Sequence, residues 1–279
     1  LLTSATNDII SKCYATTAIK NGVKVIELQH GLVVYDEEWP FRINQIHAVW
    51  GKSLSSIMAQ GNETKTLRIT GFPYFDKYKK KTNIRSRIKR GGKKSILILS
   101  TLPVAADRLI ASTSPYQFLK IVFDAVKSSR IKYQIIFRPH PSSNSAWVKE
   151  FAVKSNIDLS YDQRELPLDE VISKSDIVIG NLTSAIIDAF LQQKPVLIYS
   201  FSEPASINLR QHQLITTGAA AIFNTAKELQ GLLAKTNSDN DFANKMESGQ
   251  KKFLESYCSI NELPASDRLI KLITSQLRS

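Results

Sequence analysis

The residues of this chain with the means to do chemistry fall in four places. Arg138-Pro139-His140-Pro141 follows an apolar run, and the two prolines restrict the backbone on both sides of the histidine. An imidazole held in that way can donate an N–H to a phosphate oxygen or carry a proton near neutral pH. Gly180 and Asn181 make a turn after a second apolar run, and Thr183 and Ser184 then open a helix with Asp188 one turn further along. Hydroxyls and free backbone N–H groups at a helix N-terminus favour an anion, and Asp188 could accept from the hydroxyls of a ribose. Thr101 stands in a third loop of the same kind. Arg138, Asn181, Thr183, Ser184, Asp188 and Thr101 are therefore the candidate donor-binding residues, and His140 is a candidate catalytic residue. An ordinary helix cap with a first-turn acid explains residues 183–188 equally well, and both readings stand on sequence alone. The fourth place is Gln29-His30-Gly31, where His30 at a strand end could serve as a general base. His47 lies inside a predicted strand and reads as structural, and His212 sits in a loop.

Several familiar sites are absent. The sequence has no Gly-x-Gly-x-x-Gly, no phosphate-binding Walker loop, no Gly-x-Ser-x-Gly and no His-Glu-x-x-His. Asp239-Asn240-Asp241 has the form of a metal-binding acid pair, but its place in a polar stretch marks it as loop. Cys13 and Cys258 fit no metal or redox spacing, which points to a reducing, cytoplasmic setting.

The elements that must position these residues alternate. Apolar runs at 23–28, 46–50 and 66–70 read as strands, with helices over 3–20 and 53–60. Further strands are expected at 95–100, 133–137, 177–179, 196–199 and 219–223, with a short one near Leu159. Helices are expected at 115–128, 146–154, 226–234, 242–257 and 265–278, with a polar break over 235–241. Such alternation is the signature of doubly wound α/β domains. Between the two series, residues 77–94 hold ten Lys or Arg and no acid, so that without them the net charge of +12 would fall to +2. The expected division is a Rossmann-like domain over 1–76, a basic linker over 77–94, a nucleotide-donor domain over 95–258 and a closing helix over 259–279. The chain begins at Leu1 rather than Met, and its first domain is short, so that domain is expected to be incomplete. The basic stretch suits an anionic membrane surface or an acidic polymer, and charge alone does not choose between them. No apolar run reaches the roughly 20 residues of a membrane span.

Taken together, Gln29-His30-Gly31, Gly71-Phe72-Pro73-Tyr74-Phe75-Asp76, Arg138 to Pro141, Ser175 to Ser184 and Lys194-Pro195-Val196 resemble a group of bacterial surface-polysaccharide transferases. These have two facing Rossmann-like domains, the GT-B architecture. The group includes capsule, sialyl and Kdo transferases that use CMP-sugars, and the CDP-glycerol glycerophosphotransferases. The resemblance runs from about residue 23 to about residue 200. It implies that His140, Thr183 and Ser184 contact the donor phosphate, that the donor is most often a CMP-sugar, and that no metal or other cofactor is required. It further implies a glycan or lipid-linked acceptor, no nucleic acid, and a place on the inner membrane face. The acid-acid-Gly motif of many sialyltransferases is missing, because Trp39 follows Asp36, Glu37 and Glu38. The base is thus left open between His30 and these acids. Phosphoglycerol transfer from CDP-glycerol, a UDP-sugar 2-epimerase activity and a non-catalytic polyanion-binding module are the alternatives to sugar transfer.

Overall fold

The protein is represented by a computed structural model that describes residues 1–3, 9–32, 46–54, 66–79, 93–100, 115–140, 145–162, 165–200, 212–260 and 263–277. Two compact units emerge, one of residues 1–83 with 253–279 and one of residues 84–252. Residues 253–258, expected with the donor domain, belong with the closing helix to the first unit.

The first unit is built on a parallel sheet of β1 (Leu2–Thr3), β2 (Ile26–Leu28), β3 (Ile46–Val49) and β4 (Leu67–Ile69), paired in chain order. β1 replaces the start of the helix expected from residue 3. The described helix is Ile9–Lys20, and Leu2 and Thr3 pair instead with Ile26 and Glu27. The C-terminal helix Ala265–Leu277 sets Leu269, Leu272 and Ile273 against Ile26, Ile46 and Ala48 of the sheet. Glu27 and His47 stand opposite one another on β2 and β3, each 3% exposed at the side chain, with Nδ1 of the histidine 3.1 Å from the carboxylate. His47 is thus structural, as its place in a strand implies.

The stretch from Gly71 to Asp76 is a brace. Gly71 adopts φ +74°, a left-handed turn that favours glycine, and a Cβ there would also lie 2.9 Å from the Ala265 Cβ. Phe72 stacks on Trp50 at 4.7 Å, and Phe75 meets the same indole edge-on. Asp76 then accepts the backbone N–H groups of Ala265 and Ser266 at 2.9 and 2.8 Å and the Ser266 hydroxyl at 2.7 Å. A carboxylate on the open donors at a helix N-terminus is the arrangement that helix ends favour.

The second unit has the six-stranded parallel order β10-β9-β8-β5-β6-β7, from β5 (Lys94–Ser100), β6 (Tyr133–Pro139), β7 (Leu159–Tyr161), β8 (Ile177–Gly180), β9 (Val196–Tyr199) and β10 (Ala221–Phe223). Both faces are covered, which is why these strands read as unbroken apolar runs. Ile96, Ile98, Ile135, Phe137, Ile177 and Ile179 join the core under the helices Pro115–Lys127 and Ala226–Ser238, while Leu97, Leu99, Val178 and Ile198 of the opposite face are also buried. The N-terminal ends of β5 and β8 are stapled by Asp176, whose carboxylate accepts from the Ser95 N–H at 2.8 Å and the Ser95 hydroxyl at 3.0 Å. Nearby, the buried Lys194 donates to the Ser173 carbonyl at 3.0 Å, and burial lowers its pKa.

The polar break expected over 235–241 shrinks to Asp239 alone. Helix Ala226–Ser238 runs on, with the hydroxyls of Thr236 and Ser238 satisfied by donating back to the carbonyls of Leu233 and Ala234, and Asp239 accepts from the Phe242 N–H to start helix Asn240–Cys258. The acid pair at 239 and 241 is therefore a helix start.

Two outcomes follow from this packing. Asp76→Ala should lower stability by about 2 kcal/mol in urea unfolding, from the loss of a cap and the exposure of open donors. Cys13 is exposed whereas Cys258 is buried, and burial pushes the Cys258 thiol well above its ordinary pKa. An alkylating reagent should therefore label one thiol in the native protein and both after denaturation.

Candidate functional site

The strand order of the second unit, read from β7, is the 3-2-1-4-5-6 of dinucleotide-binding folds, in which the chain reverses its direction of build-up beside the first strand. That strand is β5, with β6 on one side and β8 on the other. Ligands of open α/β sheets bind outside the C-terminal ends of the strands at this point.

The register fixes what stands there. Leu99 of β5 is opposite Arg138 of β6 and opposite Gly180 of β8, so the three strands end in one row. His140 emerges two residues beyond the row on one side and Asn181 one residue beyond it on the other. With strands about 4.8 Å apart, the two exits are separated by roughly 10 Å, a span that a nucleotide's phosphates can bridge. Gly180 is required where it stands, since a Cβ would lie 2.5 Å from the Leu99 carbonyl oxygen. The two stretches expected to form the donor site are therefore brought to the same edge of one sheet.

The individual residues divide. His140 is exposed, and Ser184 is exposed at the start of helix Ala185–Leu191 with its hydroxyl not spent on capping. Thr183 is half-buried, and its hydroxyl takes a long contact of 3.4 Å from the Ala185 N–H. Asn181 is buried at 4% exposure beneath the turn.

Two further residues are more enclosed than Ser184. Asp188 is buried at 4% exposure, because its helix presses residues 186–190 inward. Arg138 is engaged by the protein itself: its Nη1 donates to Asp162 at 2.7 Å and to the Leu166 carbonyl at 2.8 Å. The bridge is largely buried, so Arg138 ties the segment after β7 to the strand that carries His140. Sequence reasoning missed Asp162; its only signal was an acid directly following the short run near Leu159. Thr101, the acids Asp36, Glu37 and Glu38, and most of 77–94 lie outside the described residues.

In the first unit, His30 is exposed just beyond β2, while Gln29 before it is buried. Its position at a C-terminal strand end agrees with the sequence expectation. Among the described residues, no three of His, Cys, Asp and Glu gather as a metal site would need. No described helix is long and apolar enough to cross a membrane.

The model of the family CDP-glycerol:poly(glycerophosphate) glycerophosphotransferase matches residues 53–275, which span parts of both units. The chain belongs to this family. No curated protein matches it in sequence. Among solved structures it is similar to MnaA of S. aureus in a co-structure with UDP, with TM-score 0.68 and 18% identity over 99% of this chain and 76% of that one. A variant of the wall teichoic acid polymerase TagF gives TM-score 0.57 and 13% identity over 100% of this chain and 74% of TagF. Anabaena HepE in complex with UDP-glucose gives TM-score 0.59 and 12% identity over 98% and 78%. At these identities the structures speak for the fold, which is of GT-B type, and the glycerophosphotransferase family match marks the chain as a transferase that uses a nucleotide-linked donor.

The Arg138–Asp162 bridge can be tested. Asp162→Ala should lower stability by about 2 kcal/mol in urea unfolding, since it leaves a largely desolvated guanidinium without its partner.

Proposed function

We propose that the protein transfers glycerophosphate from CDP-glycerol to a hydroxyl of a surface-glycan or lipid-linked acceptor. The observation that carries the reading is the glycerophosphotransferase family match over 53–275. It favours phosphorus over sugar carbon as the centre attacked, so CDP-glycerol takes the place of the CMP-sugar expected first.

In the reaction the acceptor oxygen forms a bond to the phosphorus that bears glycerol, and the bond from that phosphorus to the bridging oxygen breaks. CMP leaves with the electron pair, and the acceptor proton must go to a base. The second unit is assigned the donor. His140 and the hydroxyls of Thr183 and Ser184 meet charge on the phosphates, with Asn181 shaping the turn and Thr101 contributing from the loop after β5. Fixed donors aimed at developing charge commonly contribute the largest single share of catalysis. His30 of the first unit is assigned the acceptor proton. These groups take the part a metal plays elsewhere, and the basic stretch 77–94 adds attraction to an anionic acceptor or membrane surface.

Thermal-shift screening should show stabilisation by CDP and CDP-glycerol and none by UDP or GDP, because a ligand that binds only the folded state raises the melting temperature. Mass spectrometry should then show CMP release and acceptors heavier by one glycerophosphate, in the presence of EDTA as in its absence. His140→Ala should reduce kcat roughly a hundredfold or more, and neutralising Lys79, Lys80, Lys81, Arg85 and Arg87 should weaken turnover only at low acceptor concentration. Stabilisation by UDP with interconversion of UDP-sugars and no acceptor would overturn the proposal in favour of the epimerase reading.

A further inference from the structure

The assignment of His30 as base leaves open what holds an exposed imidazole in place. Gln29, immediately before it, is 6% exposed and makes its hydrogen bonds on both sides of the histidine. Its Oε1 accepts the Trp50 backbone N–H at 2.8 Å, and its Nε2 donates to the Gly31 carbonyl at 2.8 Å. Its own carbonyl accepts the indole N–H of Trp50 at 3.1 Å, and its backbone N–H donates to Ala48. The peptide group before His30 is thus fixed by the indole, and the carbonyl of Gly31, one residue beyond it, by the amide side chain. The amide of Gln29 supplies both the acceptor and the donor that this pattern uses.

The other end of the bracket is equally firm. Trp50 is buried, stacked on Phe72 and edge-on to Phe75 and Tyr257, so the indole N–H is held in position by ring packing. Gly31 does not adopt a left-handed φ, and a Cβ placed on it would meet nothing within 4 Å. The described bonds that hold the loop's shape therefore come from Gln29 and Trp50 rather than from any need for glycine.

We propose that Gln29 is a positioning residue for the reaction: together with the Trp50 indole it clamps the backbone on both sides of His30 and sets the imidazole for proton transfer. The proposal rests on the assignment of His30 as base. A group that positions a base acts on kcat and on its pH profile, because misplacing a reacting atom by an ångström can cost a hundredfold in rate.

The test uses the whole chain with CDP-glycerol and acceptor, and compares Gln29→Met, Gln29→Glu, Trp50→Phe and His30→Ala. Gln29→Met keeps length and loses both side-chain bonds, Gln29→Glu keeps the acceptor and loses the donor, and Trp50→Phe keeps the ring stack and loses the indole N–H. Expected are a tenfold or greater loss of kcat in both Gln29 variants and a smaller loss in Trp50→Phe. The donor KM should stay within twofold, the acid limb of the kcat pH profile should move, and the CDP-induced thermal shift should persist. If His30→Ala is inactive while both Gln29 variants keep wild-type kcat and pH profile, the proposal is overturned and the role of His30 survives. If His30→Ala keeps full activity, the assignment of the base itself falls, and this inference with it. Loss of the CDP shift together with kcat in the Gln29 variants would make the bracket merely structural and would also overturn it. Should Gln29→Met not fold, Gln29→Glu and Trp50→Phe separate the same outcomes.

Discussion

The donor edge depends on one constraint, the close parallel approach of β5 and β8 at Leu99 and Gly180. A side chain on residue 180 would run into the Leu99 carbonyl, so glycine alone lets the two strands finish level. With β6 in register on the other side of Leu99, the loops holding His140 and Asn181 to Ser184 leave the sheet from one row. The chemistry assigned to this edge is thus a matter of strand register before it is one of side chains. Any shift of β8 along β5 would carry the hydroxyls of Thr183 and Ser184 away from the level of the imidazole.

Much of this could be read in the sequence because the strands are buried on both faces and so spell continuous apolar runs, from Ile96 to Leu99 and from Ile177 to Ile179. Their order could not, since pairing between distant runs leaves no local mark. The elements that mislead are those where local composition and tertiary contact disagree. Leu2 and Thr3 have no strand pattern of their own and are drawn into the sheet by Ile26 and Glu27. Residues 235–238 look like a loop because they are polar, yet the hydroxyls of Thr236 and Ser238 bond within the helix. In the site, the exit of His140 is legible from its prolines, whereas the capture of Arg138 by Asp162 and the inward turn of Asp188 are packing outcomes.

The stretches that carried the family resemblance do two kinds of work. Some stand where the strands of the second unit end, as His140, Thr183 and Ser184 do. Others brace the frame: in the first unit Asp76 holds a helix start, and in the second Asp176 staples β5 to β8 at their N-terminal ends and Lys194 reaches back to the Ser173 carbonyl. In the second unit such braces fix strands whose opposite ends carry the residues assigned to the donor.

The first unit is discontinuous in sequence. Its sheet comes from residues before 84, but the helix that covers Ile26, Ile46 and Ala48 comes after 264, and Gly51 lies so close to the Tyr257 carbonyl that a Cβ would sit 2.3 Å from it. The second unit is one unbroken segment. During synthesis, which delivers the chain from its N-terminus, residues 84–252 can complete their core as soon as they emerge. Strands β1 to β4 must wait, with an apolar face uncovered, until helix Ala265–Leu277 arrives. The core of the first unit can therefore close only after the whole second unit has been made.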